Sequence, residues 1–244
     1  MRILQFTNGF PPTAIAGVEQ YTPQLSRAHS VPHEVTILCR ESLPHCTDYD
    51  SLEDDFDGLP VRRIVNDFQH TSQVRDHYID LRIESIFEKM LSEWQPNLIH
   101  FQHCIGLSAS LPQVAALYRI PHILTLHDYW YICSRVQLLN RRGHICPGPI
   151  ANVDCQDCMF PNGYLQPLMR TWLFRLLRSR LSEYSKRRML GVLAQIAPSL
   201  PSRRPDLAPS PYLERDEYML SLLDKIPLIL APTHFVKDLY ARHG

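Results

Sequence analysis

Five short apolar runs, Arg2–Thr7, Glu34–Cys39, Leu59–Val65, Leu98–Phe101 and His122–Leu126, punctuate the first half of the chain, and most of the gaps between them carry helical periodicity. Each run is too short for a helix and several stop at turn residues, as at Asn8-Gly9-Phe10-Pro11-Pro12. Val18, Tyr21, Leu25 and Ala28 recur at helical spacing, with Pro23 acceptable in a first turn or at a kink. Tyr78, Leu81, Ile86, Phe87, Met90, Leu91 and Trp94 mark a second helix. Leu111–Tyr118 marks a third, with Ser110 placed to cap it and Pro112 in its first turn. Strand and helix in alternation with short connections predict a parallel sheet covered on both faces, a Rossmann-like α/β domain. Asp48, Asp50, Glu53, Asp54, Asp55 and Asp57 read as a solvated acidic loop between the second and third strands.

The second half changes character. Residues 127–164 form a Cys-bearing loop region with little periodicity, and 165–226 an insertion. The insertion opens with an amphipathic helix marked by Leu165, Leu168, Met169, Trp172, Leu173, Leu176, Leu177 and Leu181, whose other faces carry Arg170, Arg175, Arg178, Arg180, Lys186, Arg187 and Arg188. It continues through a Pro-rich linker and a helix from about Tyr212 to Leu223. A strand at Pro227–Ala231 and a helix from Thr233 complete the core, so that 1–126 and 227–244 make one unit within 1–244. The 25 Lys+Arg against 25 Asp+Glu argue against a nucleic-acid partner. No apolar run approaches the roughly 18 residues of a membrane span, and the start lacks the pattern of a secretory signal. The expected location is cytoplasmic. Seven cysteines without an export signal point to metal binding or free thiols before a disulfide framework.

In a sheet of this kind ligands bind beyond the carboxyl ends of the strands, here Asn8–Gly17, Gln102–Cys104 and His127–Arg135. No G-x-G-x-x-G occurs in the first loop, which disfavours a nicotinamide or flavin dehydrogenase. Gly17 at a helix start lets a phosphate approach backbone N–H groups, or is an ordinary turn residue. His127-Asp128-Tyr129-Trp130 places an imidazole, a carboxylate and two aromatic faces at a strand end, a mixture suited to sugars. The plainer alternative is a histidine satisfied at the sheet rim. His100 falls inside a strand and reads as structural, whereas His103 is a candidate for the same crevice.

Cys133, Cys146, Cys155 and Cys158 follow as C-x12-C-x8-C-x2-C, a set able to close a tetrahedral structural zinc site or to remain free or oxidisable thiols. Four thiolates leave no open position for catalytic zinc. The basic helix either contacts an anionic membrane surface or covers the sheet with solvated arginines.

Six segments occur in an order that resembles the N-terminal domain of bacterial family 4 glycosyltransferases. They are Met1–Pro12, Gly17-Val18-Glu19, His33–Leu38, Gly58–Val61, Pro96–His103 and Leu124–Trp130. Ile229–Val236 resembles the last strand and helix of that domain. The resemblance implies half of a GT-B enzyme, with acceptor held here and nucleotide-sugar donor held by a C-terminal domain. It implies retaining transfer to an acceptor hydroxyl, sugar-borne or lipid-linked, without a catalytic metal, in cell-surface polysaccharide or glycolipid synthesis. Gly17 would approach the donor phosphates, His127 would hold the transferred sugar near the reaction centre, and His103, Asp128, Tyr129 and Arg135 would contact substrate.

Ala16 and Pro32 stand where the family usually has glycine, which points to weaker phosphate contact. The chain ends where the linker to a donor domain would begin, so by this likeness it is not expected to turn over alone. Two other readings are a non-catalytic sugar- or nucleotide-binding module paired with a separate donor-domain chain, and a Rossmann-type nucleotide-sugar-modifying enzyme acting by itself.

Overall fold

The structure, a computed structural model, describes residues 1–43, 45–140, 143–148, 155, 158–159 and 211–243. The long arginine-bearing helix and the Pro-rich linker expected from the sequence lie outside the described residues.

Seven strands form one sheet: β1 (Arg2–Thr7), β2 (Glu34–Glu41), β3 (Ser51–Phe56), β4 (Leu59–Val65), β5 (Leu98–Phe101), β6 (His122–Thr125) and β7 (Ile229–Leu230). Their order is β3-β4-β2-β1-β5-β6-β7. Every pairing is parallel except β3 with β4. The helices are α1 (Gly17–Ser30), α2 (Leu81–Trp94), α3 (Leu111–Leu117), α4 (Pro211–Leu223) and α5 (His234–Ala241). The expected α/β plan with a parallel sheet is the observed one, and the strand ending before His127 is the sixth because β3 was not foreseen.

Alternation along β1 separates two layers. Leu4 and Phe6 point into the main core with Phe101, Leu124, α2 (Ile83, Phe87, Met90, Leu91) and α3 (Leu111, Val114, Ala115). Phe6 lies 5.2 Å from the Phe101 ring and 5.7 Å from that of Phe87. Each such ring or aliphatic chain contributes on the order of 1.5–3 kcal/mol by leaving water. Ile3 joins the smaller cluster of Val35, Ile37, Cys39, Leu59 and Val61 on the other face. Gln5, on that same face, reaches His29 of α1.

Three local expectations change. The acidic stretch is not a free loop: Ser51–Phe56 pairs antiparallel with β4, setting Glu53 opposite Arg62 and Asp54 beside Arg63. The strand has no apolar alternation because it is an exposed edge whose charges are met by basic neighbours and discourage pairing with other chains. The buried face of α1 is Glu19, Thr22, Pro23 and Ser26, while Tyr21 and Ala28 are exposed, so the polar stripe faces inward and Pro23 lies beyond the first turn. Ser110 starts α3 without a capping bond, its hydroxyl being taken by Glu84 and Ser108.

Two buried arginines tie loops to this frame. Arg63, 4% exposed, pairs with Glu41 at 2.9 Å and donates to the carbonyls of Phe10 and Pro11 at 3.3 and 2.6 Å, which pins the β1–α1 loop to β4. Arg215 in α4 pairs with the buried Asp216, packs near the Tyr78 and Trp130 rings and donates to the Trp130 carbonyl, which fixes the segment after β6. Tyr240 of α5 donates to the Asp128 carbonyl at 2.8 Å. No helix among the described residues is long and apolar enough to cross a membrane.

Replacing Arg63 by Met strands the buried Glu41 carboxylate without its cation. We expect a loss of about 3–5 kcal/mol of unfolding free energy by urea titration. A loss within about 0.5 kcal/mol would show that the pair does not hold the loop.

Candidate functional site

Because β1, β5 and β6 are neighbours and run the same way, the residues that follow them meet at one edge. These are Asn8, Gln102-His103 and His127-Asp128. The sequence-predicted His127, His103 and Asp128 are therefore brought together, His103 bonding to Asp128 and His127 to Gln102.

His103 accepts the Ile105 N–H at Nδ1 (3.0 Å), so its proton sits on Nε2, 2.7 Å from Asp128 Oδ2. The other oxygen of Asp128 accepts the Trp130 N–H at 2.9 Å. Both residues thus shape the turn that carries Trp130. His127 Nε2 lies 2.8 Å from Gln102 Oε1, and Gln102 Nε2 donates to Gln5 Oε1 at 3.0 Å. Gln5 Nε2 in turn lies 3.4 Å from His29 Nδ1. Tyr21, the exposed aromatic of α1, meets the His127 ring edge-on at 5.2 Å. Tyr129 is half-buried against the main core. Arg135 is exposed and donates to the Cys158 carbonyl at 3.5 Å.

Gly9 and Gly17 differ in what they permit. A Cβ at Gly9 would come within 2.9 Å of the Ala14 Cβ and 3.4 Å of Glu19 Oε1, so the fold itself demands glycine. At Gly17 a Cβ would meet nothing within 4 Å. The expected role of Gly17 in phosphate approach therefore concerns a ligand and not the packing of this chain.

Sequence reasoning had Asn8 and Gln102 only as the first residues of candidate strand-end loops, with no role of their own, and missed Gln5 and the part played by Glu19. Glu19 is 6% exposed, its Oε1 accepts from Asn8 Nδ2 at 3.0 Å, and its Oε2 is buried without a hydrogen-bond partner. A carboxylate inside the first turn of a helix at a strand end was the available signal, though helix-dipole compensation explains such a residue equally well.

An aromatic hollow of about 290 Å³ opens beside this edge, lined by Phe68, Tyr78, Trp130 and Tyr212 with the polar His77 and Ser134 among its walls. A larger and more open hollow, about 580 Å³, lies at the opposite strand edge around Met1, Val31, His33 and Asn97. The ligand-binding edge of a parallel sheet is the carboxyl one, so the smaller hollow is the one adjoining the candidate site.

All seven cysteines are free. Cys39 and Cys104 are fully buried, and burial pushes both thiols up to about 12. The Cys155 sulfur lies 3.5 Å from Asp216 Oδ2; burial raises its pKa first, then Asp216, with Cys133 and Cys146 close enough to add to the effect. Among the described residues no set of three or more His, Cys, Asp or Glu side chains is arranged to hold a metal ion.

Burial lowers the pKa of His127 from 6.5 to about 4, with the nearby His103 adding to that effect and Asp128 opposing it. At neutral pH the ring is uncharged, which suits hydrogen-bonded positioning and not the stabilisation of developing negative charge by a cation. His100, bonded to Thr125 Oγ1 at 2.8 Å, is lowered to about 4 by burial, with His29 and His127 contributing. Since both folded values lie below the unfolded one, the unfolded chain takes up protons first. Stability falls as pH drops from about 6.5 to 4 and levels off below that. Urea midpoints across this window should fall, and should fall less steeply in His100→Asn. An equal slope in the variant would exclude His100 as a contributor.

Residues 16–152 match the glycosyl transferase 4-like domain. No curated protein matches the chain. Solved structures that resemble it include a sucrose-phosphate synthase from Thermosynechococcus elongatus, 15% identical with a TM-score of 0.35. Another is described as trehalose-6-phosphate from E. coli bound with UDP-2-fluoro glucose, 10% identical with a TM-score of 0.39. Each likeness covers 52% of this chain and 33% of the other, so the chain is matched to about a third of those proteins' length. With the family match spanning more than half of its residues, and the α/β sheet beneath it, the chain belongs to the glycosyl transferase 4-like domain family.

Proposed function

We propose that this chain is the acceptor-side, N-terminal domain of a retaining GT-B glycosyltransferase that moves a sugar from a nucleotide-sugar to an acceptor hydroxyl in bacterial cell-surface polysaccharide or glycolipid synthesis. The observation that carries the reading is the edge where β1, β5 and β6 end, with the neutral His127, the half-bonded Glu19 carboxylate and an aromatic-walled hollow beside it. Hydroxyl-rich rings take hydrogen bonds at their rims and aromatic contacts on their faces.

In this reaction the anomeric carbon's bond to the leaving nucleoside diphosphate breaks and one to the acceptor oxygen forms. His127, with a pKa near 4, is a poor base for the acceptor's proton. That proton goes to the departing phosphate oxygen, and His127 holds the sugar in place for the exchange. Gly17, at the start of α1 with open space around it, is where the donor's phosphates would approach backbone N–H groups. Contact with the inner membrane surface, suited to a lipid-linked acceptor, would fall to the basic stretch that carries Arg170, Arg175, Arg178 and Arg180.

A structural zinc ion held by Cys133, Cys146, Cys155 and Cys158 forms part of the same proposal. The four soft thiols and the shared surroundings of Cys133, Cys146 and Cys155 support it. The described arrangement would have to tighten around the ion.

In protein that includes the proposed donor-binding domain, turnover of a panel of radiolabelled UDP- and GDP-sugars, by hydrolysis or transfer, should fall at least about 10²-fold in His127→Ala. Unchanged rates would remove His127 from the site. Gly17→Ala should leave stability within about 0.5 kcal/mol and weaken nucleotide-sugar binding by calorimetry; equal affinity would contradict phosphate contact there. Protein purified without chelator should carry one zinc per chain, lost in Cys155→Ser, and a metal content near zero would overturn the four-thiolate site.

A further inference from the structure

We infer that the buried amides of Gln102 and Gln5 are positioning residues that lock His127 with its proton on Nε2, so that its free Nδ1 meets the ligand as a hydrogen-bond acceptor. Both glutamines are 0% exposed; Gln5 lies on β1 in direct register with His100 of β5, and Gln102 directly follows β5. An amide has one accepting and one donating end. Gln102 Oε1 faces His127 Nε2, and its Nε2 donates to Gln5 Oε1, whose own amide nitrogen faces His29 Nδ1. With His29 Nδ1 as the acceptor at the far end, each bond fixes the direction of the next. Turning one amide over would set donor against donor or acceptor against acceptor inside the protein, where unmatched polar groups are costly.

The two histidines of the site are thereby oriented by different means. His103 is set by a backbone N–H, that of Ile105, which side-chain substitution cannot remove. His127 is set by side chains alone, so its tautomer is open to mutation. Among the described residues its only hydrogen bond is the one at Nε2, and Glu19 Oε2 in α1 is likewise an acceptor without a donor. A site presenting acceptors selects ligands that bring donors, and a sugar's hydroxyl groups are such donors. That last step rests on the proposed function, whereas the tautomer itself does not.

The groups facing the ring are Tyr21 from α1, Gln102 and His103 after β5, and Asp128 after β6; His100 and His29 lie further along the same layer. Replacing Gln102 by Glu places a pure acceptor, and a negative charge, against Nε2. This keeps the proton there and raises the His127 pKa from about 4 toward 6.5. Gln102→Leu removes the acceptor and frees the ring to populate both tautomers.

Long-range proton–nitrogen correlation spectra of the histidine side chains read this directly on the ligand-free protein. We expect wild-type His127 at neutral pH to show a protonated Nε2 and a bare Nδ1, Gln102→Glu to keep that pattern with a raised pKa, and Gln102→Leu to shift both nitrogens toward mixed values. His103 should be unmoved. A wild-type proton on Nδ1, or a His127 pattern indifferent to Gln102→Leu, would overturn the inference. Should the Leu variant not fold, an unshifted pKa in Gln102→Glu would overturn it equally. Adding a nucleotide-sugar afterwards tests the proposed function separately: no change at Nδ1 would count against sugar binding there and leave the tautomer assignment standing.

Discussion

The parallel adjacency of β1, β5 and β6 governs the rest of the structure. Register places Phe6 beside both Leu38 and Phe101, and Phe101 beside Leu124, so one row of apolar side chains holds the three strands level. Their ends are consequently level too. Asn8, Gln102 and His127 emerge side by side without any long-range interaction of their own to bring them there. A shift of one residue in β5 would turn His100 and Gln102 into the apolar layer and Phe101 out of it, at a cost the core would not bear.

That adjacency also explains why one face of the sheet is polar inside. Gln5, His100, Gln102 and Thr125 lie under or beside α1, which answers with Glu19, Thr22, Ser26 and His29. A polar layer gives up hydrophobic stabilisation, and the larger cluster on the opposite face supplies it. In return, a histidine at the strand edge is connected by hydrogen bonds to the interior instead of to solvent. Arg63 serves the neighbouring loop in a related manner, holding Phe10 and Pro11 by their carbonyls so that the segment leading to Gly17 stays over the strand ends.

Much of this was legible in the sequence. Six of the seven strands were announced by short apolar runs, and His127, His103 and Asp128 by their positions just past strand ends. β3 was not, because an edge strand composed of Ser-Leu-Glu-Asp-Asp-Phe owes its pairing to Arg62 and Arg63 on the next strand, nine residues away for Glu53 and Asp54. The inward face of α1 was misread because Val18, Tyr21, Leu25 and Ala28 form a fair apolar stripe, and only the tertiary partners of Glu19 and His29 reveal the other face as the buried one. Gln5 gave no signal for the same reason: a glutamine in a strand means little until the residue across from it is known, and Gln102 stood out only by its place at a strand end.

The central claim is that the carboxyl edge of β1, β5 and β6 is where this domain meets a sugar. Hydrogen–deuterium exchange of the protein, with and without a nucleotide-sugar, tests it most directly. The account predicts slowed exchange in the loops at 8–19, 102–107 and 127–135 and little change elsewhere in the sheet. Slowed exchange confined to the opposite edge, around Val31–Glu34 and Asn97, would contradict it.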